Sequence, residues 1–250
     1  ANEAARVIAE LRTLAADPRF PLDIDFDLRP EGKNGPFVRS LSGYRSYYER
    51  WSLTWEAQAL LRARAVAGDA ELGADFMRLA DEIRYPETFG DSEAREVRRI
   101  KARVEAERLP RGADPLRHLK LGPGAISDVE WLLQLLQLQH AAAMPELRTA
   151  STLGGLAAAV RGGLLDEESR ETLEVAWKLA GEIRSANRLW SGRGSDLLPR
   201  ERADLDGVGR ILGLPTQSTT ELEERYFAAT RRARTVFERE FYGRAPAVVP

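Results

Sequence analysis

The chain has 250 residues, enough for one or two domains with a substantial buried core. Its 37 basic and 39 acidic side chains leave a net charge of −2, so no global basic field favours a nucleic acid and any polyanion site must be a local patch. Cysteine is absent and no apolar run approaches the roughly 18 residues of a membrane span. Disulfide scaffolds, thiol nucleophiles and thiolate-bound zinc are thereby excluded, and a cytoplasmic protein with no membrane segment is expected. Two histidines, His118 and His140, argue against a multi-histidine metal site.

Residues Ala4 to Ala16 repeat Val7, Leu11 and Leu14 at helical spacing, and Asp17-Pro18 stops the helix. Residues 21–30 alternate: Leu22, Ile24, Phe26 and Leu28 face one way, Asp23, Asp25, Asp27 and Arg29 the other. That pattern predicts a strand. Gly32-Lys33-Asn34-Gly35 reads as a turn, with a short return strand over 36–40. A lone hairpin is marginal in water, and nothing after residue 40 reads as a strand. The sheet is therefore expected to find its partners before residue 1, making the chain a C-terminal piece of something larger.

Helices are then expected over 44–67, 70–83, 92–108, 127–143, 151–161, 166–190, 199–212 and 218–241, separated by Gly, Pro and Asp. The glycine- and proline-rich stretch 109–124 is the best candidate for a domain boundary, and 243–250 reads as a frayed tail.

Three segments carry residue types with chemistry. Asp23, Asp25 and Asp27 would lie roughly 6.6–7 Å apart on one strand face. Hard oxygens so placed suit Mg²⁺, although a solvated face neutralised by Arg29 fits the spacing at least as well. On a helix over 44–67, Trp51, Trp55, Gln58 and Arg62 share one sector, a possible wall for a phosphate or a base or, more simply, a core stripe with a structural arginine. Arg64 projects to the opposite side and reads as structural. Leu119-Lys120-Leu121-Gly122-Pro123-Gly124 leads into a helix start that could hold phosphate. Ser127 followed by Glu130 reads equally as a capping box. Glu130, Gln134 and Gln137 share a helix face, and both histidines read as structural.

Taken in order, Asp25-Phe26-Asp27-Leu28-Arg29-Pro30-Glu31-Gly32, then Trp55 to Arg64 with Gly68-Asp69, then Leu119-Lys120-Leu121-Gly122 through Asp128-Val129-Glu130 resemble the glutamine synthetase adenylyltransferase family. That family is related to the uridylyltransferase acting on the nitrogen regulator PII. The resemblance spans residues 4–243, and the ending Phe241-Tyr242-Gly243 is similar to the second, adenylylating half of the family's two tandem halves. It implies a mainly α chain. Residues 1–112 would be the C-terminal part of a nucleotidyltransferase domain with a short β-hairpin remnant, and 113–250 a helical bundle.

The implied activity is transfer of AMP from Mg-ATP to a tyrosine of glutamine synthetase. Asp25 would be the third metal-binding carboxylate, with Asp23 beside it. Arg29, Arg62 and Lys120 would neutralise phosphate charge, and Asp128 and Glu130 match the family's Asp-x-Glu near the nucleotide. Asp27, where the family often has arginine, and Ala125, where it has a second glycine, depart from the pattern. Lacking the first two carboxylates, this stretch alone is expected to be inactive. Mg²⁺ is the implied cofactor, and ATP, glutamine synthetase and PII the partners. The alternatives are a non-catalytic module docking glutamine synthetase or PII, and the deadenylylating half.

Overall fold

A computed structural model describes residues 2–19, 22, 24–26 and 28–243. The sequence punctuation sets where several helices begin. Ser40, Asp69, Ser151 and Asp166 each turn a side-chain oxygen back to the N–H three residues on, at 3.1, 2.8, 3.1 and 2.6 Å. Each thereby satisfies a donor that the helix itself cannot.

The chain forms two compact units, Ala1–Pro86 and Glu87–Pro250. The first holds α1 (Asn2–Ala15), α2 (Leu41–Trp51), α3 (Thr54–Leu60) and α4 (Ala70–Arg84). The second holds α5 (Asp91–Glu107), α6 (Ile126–His140), α7 (Thr152–Arg161), α8 (Glu167–Ser191), α9 (Arg202–Ile211) and α10 (Thr219–Tyr242). The segment 109–124 lies within this second unit. Of the expected tail 243–250, Gly243 caps α10 and residues 244–250 lie outside the described residues. Among the described residues no helix is long and apolar enough to cross a membrane.

The mainly helical architecture matches expectation, but two local readings need correction. No strand forms among the described residues, so the β-hairpin remnant is not present there. Leu22 and Leu28 are exposed rather than turned inward. A two-stranded ribbon with one poor face gains too little to hold itself, and side chains organise the loop instead. Phe26 meets Phe37 edge-on at 5.6 Å, and Arg29 bridges the turn through the carbonyls of Phe26, Lys33 and Gly35.

The expected helix over 44–67 is the second correction: it breaks at Ser52–Leu53 and ends at Leu60. Buried Glu56 causes the break. One of its oxygens accepts the Leu53 N–H at 2.9 Å and the other the Tyr47 hydroxyl at 2.8 Å, starting a new helix there. Arg84 caps the far end, donating to the carbonyls of Leu60 and Ala63 at 2.8 and 3.1 Å.

In the second unit, α8 and α10 form the central pair, with α6, α7 and α9 packed around them. Leu173, Ala176, Ala180 and Ile183 recur on α8, and Tyr226, Ala229, Ala233 and Phe237 on α10, all buried at helical spacing. Phe237 and Phe241 stack at 4.6 Å near the end of α10. The turn before α6 reaches the backbone of α10 at Gly124, whose φ is +71°. A Cβ there would stand 1.8 Å from the Thr230 carbonyl oxygen. Gly163 has the same φ of +71° with nothing within 4 Å of that position.

This pair separates strain from overlap. Gly163→Ala should cost about 1 kcal/mol for the left-handed backbone alone. Gly124→Ala, which must also push α10 away, should cost roughly 3 kcal/mol or more in urea unfolding. Equal losses would show that the turn does not bear on α10.

Candidate functional site

The residues singled out by sequence divide between the two units. In the first, Asp25 is an exposed carboxylate in a stretch without regular secondary structure, next to the Phe26–Phe37 contact. Asp23 and Asp27 lie outside the described residues. Arg29 is turned into its own loop, its guanidinium 4.3 Å from the Phe37 ring centroid and its N–H groups on backbone carbonyls. It organises the turn that carries Asp25.

Arg62 is exposed just beyond α3. The sector it was expected to share with Trp51, Trp55 and Gln58 does not exist, because two helices replace one. Trp51 is 69% exposed while Gln58 is buried. Among the described residues no group of three or more histidine, cysteine or acidic side chains could hold a metal. Asp25 offers a single hard oxygen donor group, which fits one position of a Mg²⁺ shell otherwise completed by phosphates and water.

Sequence reasoning missed an aromatic cleft of about 160 Å³ in this unit, lined by Tyr44, Tyr48, Trp55 and Phe76 with Glu56 and Arg29 at its edge. Tyr44 and Tyr48 stack at 6.2 Å, and Phe76 meets Tyr44 edge-on at 5.2 Å. Burial raises the pKa of both tyrosines and keeps them protonated, with Glu56 adding to the effect at Tyr48. The signal available was the spacing of Tyr44 and Tyr48 along α2.

In the second unit, Lys120 is an exposed side chain between buried Leu119 and half-buried Leu121. The segment is anchored at both ends. Leu119 N donates to Asp196 O at 2.7 Å, and Ser127 N donates to Lys120 O at 2.9 Å. The capping box does not form: α6 starts at Ile126, leaving Ser127 inside the helix, and Glu130 is half-buried. Gln137, on the expected polar stripe, is buried and donates to the carbonyls of Leu147 and Thr149 at 2.7 and 2.8 Å.

Asp128 has no exposure, and both of its oxygens are engaged inside the fold. Oδ1 accepts from the buried Lys101 ammonium at 2.6 Å. Oδ2 accepts from Gly124 N at 2.7 Å and from Arg234 at 2.9 Å. Glu105 joins both cations, at 3.1 Å from Lys101 and 2.8 Å from Arg234, and Glu238 also pairs with Arg234. Burial opposes the charge on Arg234, but Asp128 and the two glutamates outweigh it and hold the guanidinium protonated. Burial likewise opposes the charge on Glu105, and Lys101 and Arg234 override it, lowering its pKa.

His118 is buried, and its Nδ1 accepts the N–H groups of Leu121 at 3.0 Å and Lys120 at 3.3 Å. That arrangement requires neutral imidazole protonated on Nε2. Burial lowers its pKa, outweighing the nearby Asp196.

The family model described as glutamate-ammonia ligase adenylyltransferase matches residues 3–79, and that of the GlnD PII-uridylyltransferase matches 95–241. The two matches fall one in each compact unit. Three curated relatives bear the name bifunctional glutamine synthetase adenylyltransferase/adenylyl-removing enzyme. The protein of Leifsonia xyli is 59% identical over 240 residues, covering 96% of this chain and 24% of its own length. That of Streptomyces avermitilis is 53% identical, covering 97% and 25%, and that of Mycobacterium leprae 49%, covering 96% and 24%. The chain thus spans about a quarter of the length of these relatives.

Two measurements check the geometry of this second unit. Asp128→Asn removes the closer of the two carboxylates on buried Lys101, leaving Glu105 at 3.1 Å, and should destabilise the chain by about 3 kcal/mol in urea unfolding. Combining Asp128→Leu with Lys101→Met should recover much of that loss. His118 governs a pH window. Below its ordinary value of 6.5 the unfolded chain takes up a proton before the folded one does, so stability falls with pH until the folded imidazole also protonates. His140, whose pKa burial also lowers, acts in the same window. In a His140→Gln background, His118→Asn should therefore flatten the loss below pH 6.5.

Proposed function

This chain belongs to the glutamine synthetase adenylyltransferase family, its second unit carrying the domain of GlnD PII-uridylyltransferases, and on that premise we propose that it is part of an enzyme moving AMP from Mg-ATP to a tyrosine of glutamine synthetase. The observation that carries this reading is 59% identity over 240 residues, through both units, to a relative named for that activity. The tyrosine hydroxyl attacks the α-phosphorus in line and pyrophosphate leaves, with no covalent enzyme intermediate. Such a reaction gains its rate from positioning and charge neutralisation.

Asp25 would hold Mg²⁺, which when bound neutralises phosphate charge. Arg29 fixes the loop that presents Asp25 and acts as a positioning residue. In the first unit the exposed side chain of Arg62 would meet phosphate oxygens, and in the second unit Lys120, taken by itself, would offer an exposed cation to phosphate. Asp128 organises the loop that carries Lys120, and Glu130 lies one half-turn further along the same helix. The site of action would be the cytoplasm, with PII as a regulatory partner. The 95–241 match and the internal commitment of Asp128 favour one second reading, in which the helical unit docks protein partners while chemistry resides elsewhere.

The test uses the full-length enzyme. Asp25→Asn should reduce AMP transfer from radiolabelled ATP by about 100-fold or more, the scale of several kcal/mol of charge stabilisation, with an unchanged thermal melt. Near-normal transfer would remove Asp25 from the mechanism. Loss of glutamine synthetase binding on deleting residues 87–250, with ATP binding retained, would favour the docking role for the helical unit.

A further inference from the structure

Glu224, Ala228 and Arg232 follow one another at four-residue steps and so share one stripe of α10. Lys178 and Glu182 stand one turn apart on α8. Arg239, near the end of α10, donates to Ser169 Oγ, near the start of α8, at 2.6 Å, so the two helices run antiparallel. Between them lies a groove of about 510 Å³ floored by Val175, Leu179, Ala228 and Ala229, with Val175 51% exposed. On the other flank of α8 a second groove, of about 520 Å³, holds Gly181 and the exposed side chains of Leu189 and Ile211. Lys178 and Glu182 line both grooves, so α8 stands as a ridge between them.

The antiparallel register sets Arg232 beside Val175 and Glu224 beside Glu182, so the groove between α8 and α10 is positive at one end and negative at the other. Glu182, Glu224 and Arg232 are exposed and make no hydrogen bond or ion pair among the described residues. Lys178 is shared with Glu174 at 2.5 Å, and Arg225, at the negative end, reaches Glu221 only at 3.9 Å. Three charges around an apolar floor are therefore unused by the fold.

Such a groove is its own complement. A two-fold axis through Ala228 carries Arg232, one turn to one side, onto Glu224, one turn to the other, so each would meet its opposite in a second copy. On α8 the midpoint between Lys178 and Glu182 is Ala180. Ala180 and Ala228 each lie eleven residues from the Ser169–Arg239 contact, so the same axis serves both helices. The small side chains of Ala228 and Ala229 let a helix ridge come close, as ridge-into-groove packing requires. We propose that the second unit pairs with a second copy of itself across this face, about a two-fold axis through Ala228, with Arg232 of each copy meeting Glu224 of the other. A foreign partner would have to match the apolar floor and both charged ends, which a second copy does by symmetry. The pairing stands whether or not the enzyme transfers AMP.

The test is sedimentation velocity across a wide concentration range, on this chain and on the full-length enzyme. Both should show a reversible monomer–dimer equilibrium that weakens with salt. Arg232→Glu and Glu224→Arg each set like charges face to face twice per dimer, and each alone should raise the dissociation constant about tenfold or more. An equimolar mixture of the two variants makes both contacts attractive again and should recover the parent affinity as a heterodimer. The double variant should recover it as a homodimer. Neither residue has an internal partner, so every variant should melt like the parent. Arg103→Glu, at an exposed position on α5, should leave the equilibrium unchanged.

Monomer at every concentration, or a dimer indifferent to both charge reversals, would overturn the proposal. Two variants that each weaken the dimer without recovery on mixing would show that Arg232 and Glu224 do not face each other, and would overturn it as well. Dimers of this chain beside a monomeric full-length enzyme would give the face to another segment of the enzyme and remove the second copy from it.

Discussion

The second unit turns on a carboxylate from which water is wholly excluded. Asp128, in the first turn of α6, draws the Lys101 ammonium from α5, the Arg234 guanidinium from α10 and the Gly124 N–H from the preceding loop onto two oxygens. Removing a carboxylate and an ammonium from water costs several kcal/mol each, and only close, complete pairing offsets it. That requirement fixes distances among three helices and one loop at once. An apolar residue could fill the same volume, but it could not hold the Gly124 N–H. Gly124 must in turn lie against the Thr230 carbonyl, where no side chain fits. The loop that carries Lys120 is therefore located by a polar knot beneath it, and by His118 receiving its N–H groups from the other side.

Much of the helical framework was legible in the sequence because its determinants are local. Ser151 and Asp166 announce α7 and α8, and the period of Leu173, Ala176, Ala180 and Ile183 gives the buried face of α8 directly. The break between α2 and α3 was not legible, since the helical period continues through Trp51 and Trp55. What interrupts it is a buried Glu56 satisfied by Tyr47, nine residues away. The strand over 21–30 misled for the opposite reason. Alternation records what a segment would do in a sheet, and ladder formation depends on a neighbour that the segment itself cannot specify.

The candidate site was legible in its residues more than in its roles. Spacing placed Asp128 and Glu130 one half-turn apart on a helix, but could not say whether the aspartate faced a ligand or a lysine 27 positions earlier. It singled out Arg62 and set Arg64 aside on a helical wheel that ends two residues before it applies. The aromatic cleft escaped because Tyr44, Tyr48, Trp55 and Phe76 come from three helices, and each alone reads as ordinary core.

Arginines outnumber lysines 33 to four in this chain, and that choice has a structural use that narrows which arginines remain for ligands. Where the chain leaves carbonyls unpaired, a guanidinium takes them in groups. Arg29 serves the turn after residue 26, and Arg84 the end of α3. Arg117 reaches the carbonyls of Leu198 and Pro199, and Arg148 those of Ala141 and Ala142 beyond α6. A planar fork with five donors can clamp two or three carbonyls in one geometry, which a lysine ammonium on a flexible stem does poorly. These arginines cannot turn to a phosphate without releasing the loops they hold. The charge available to an anion in the first unit therefore lies with side chains outside this role.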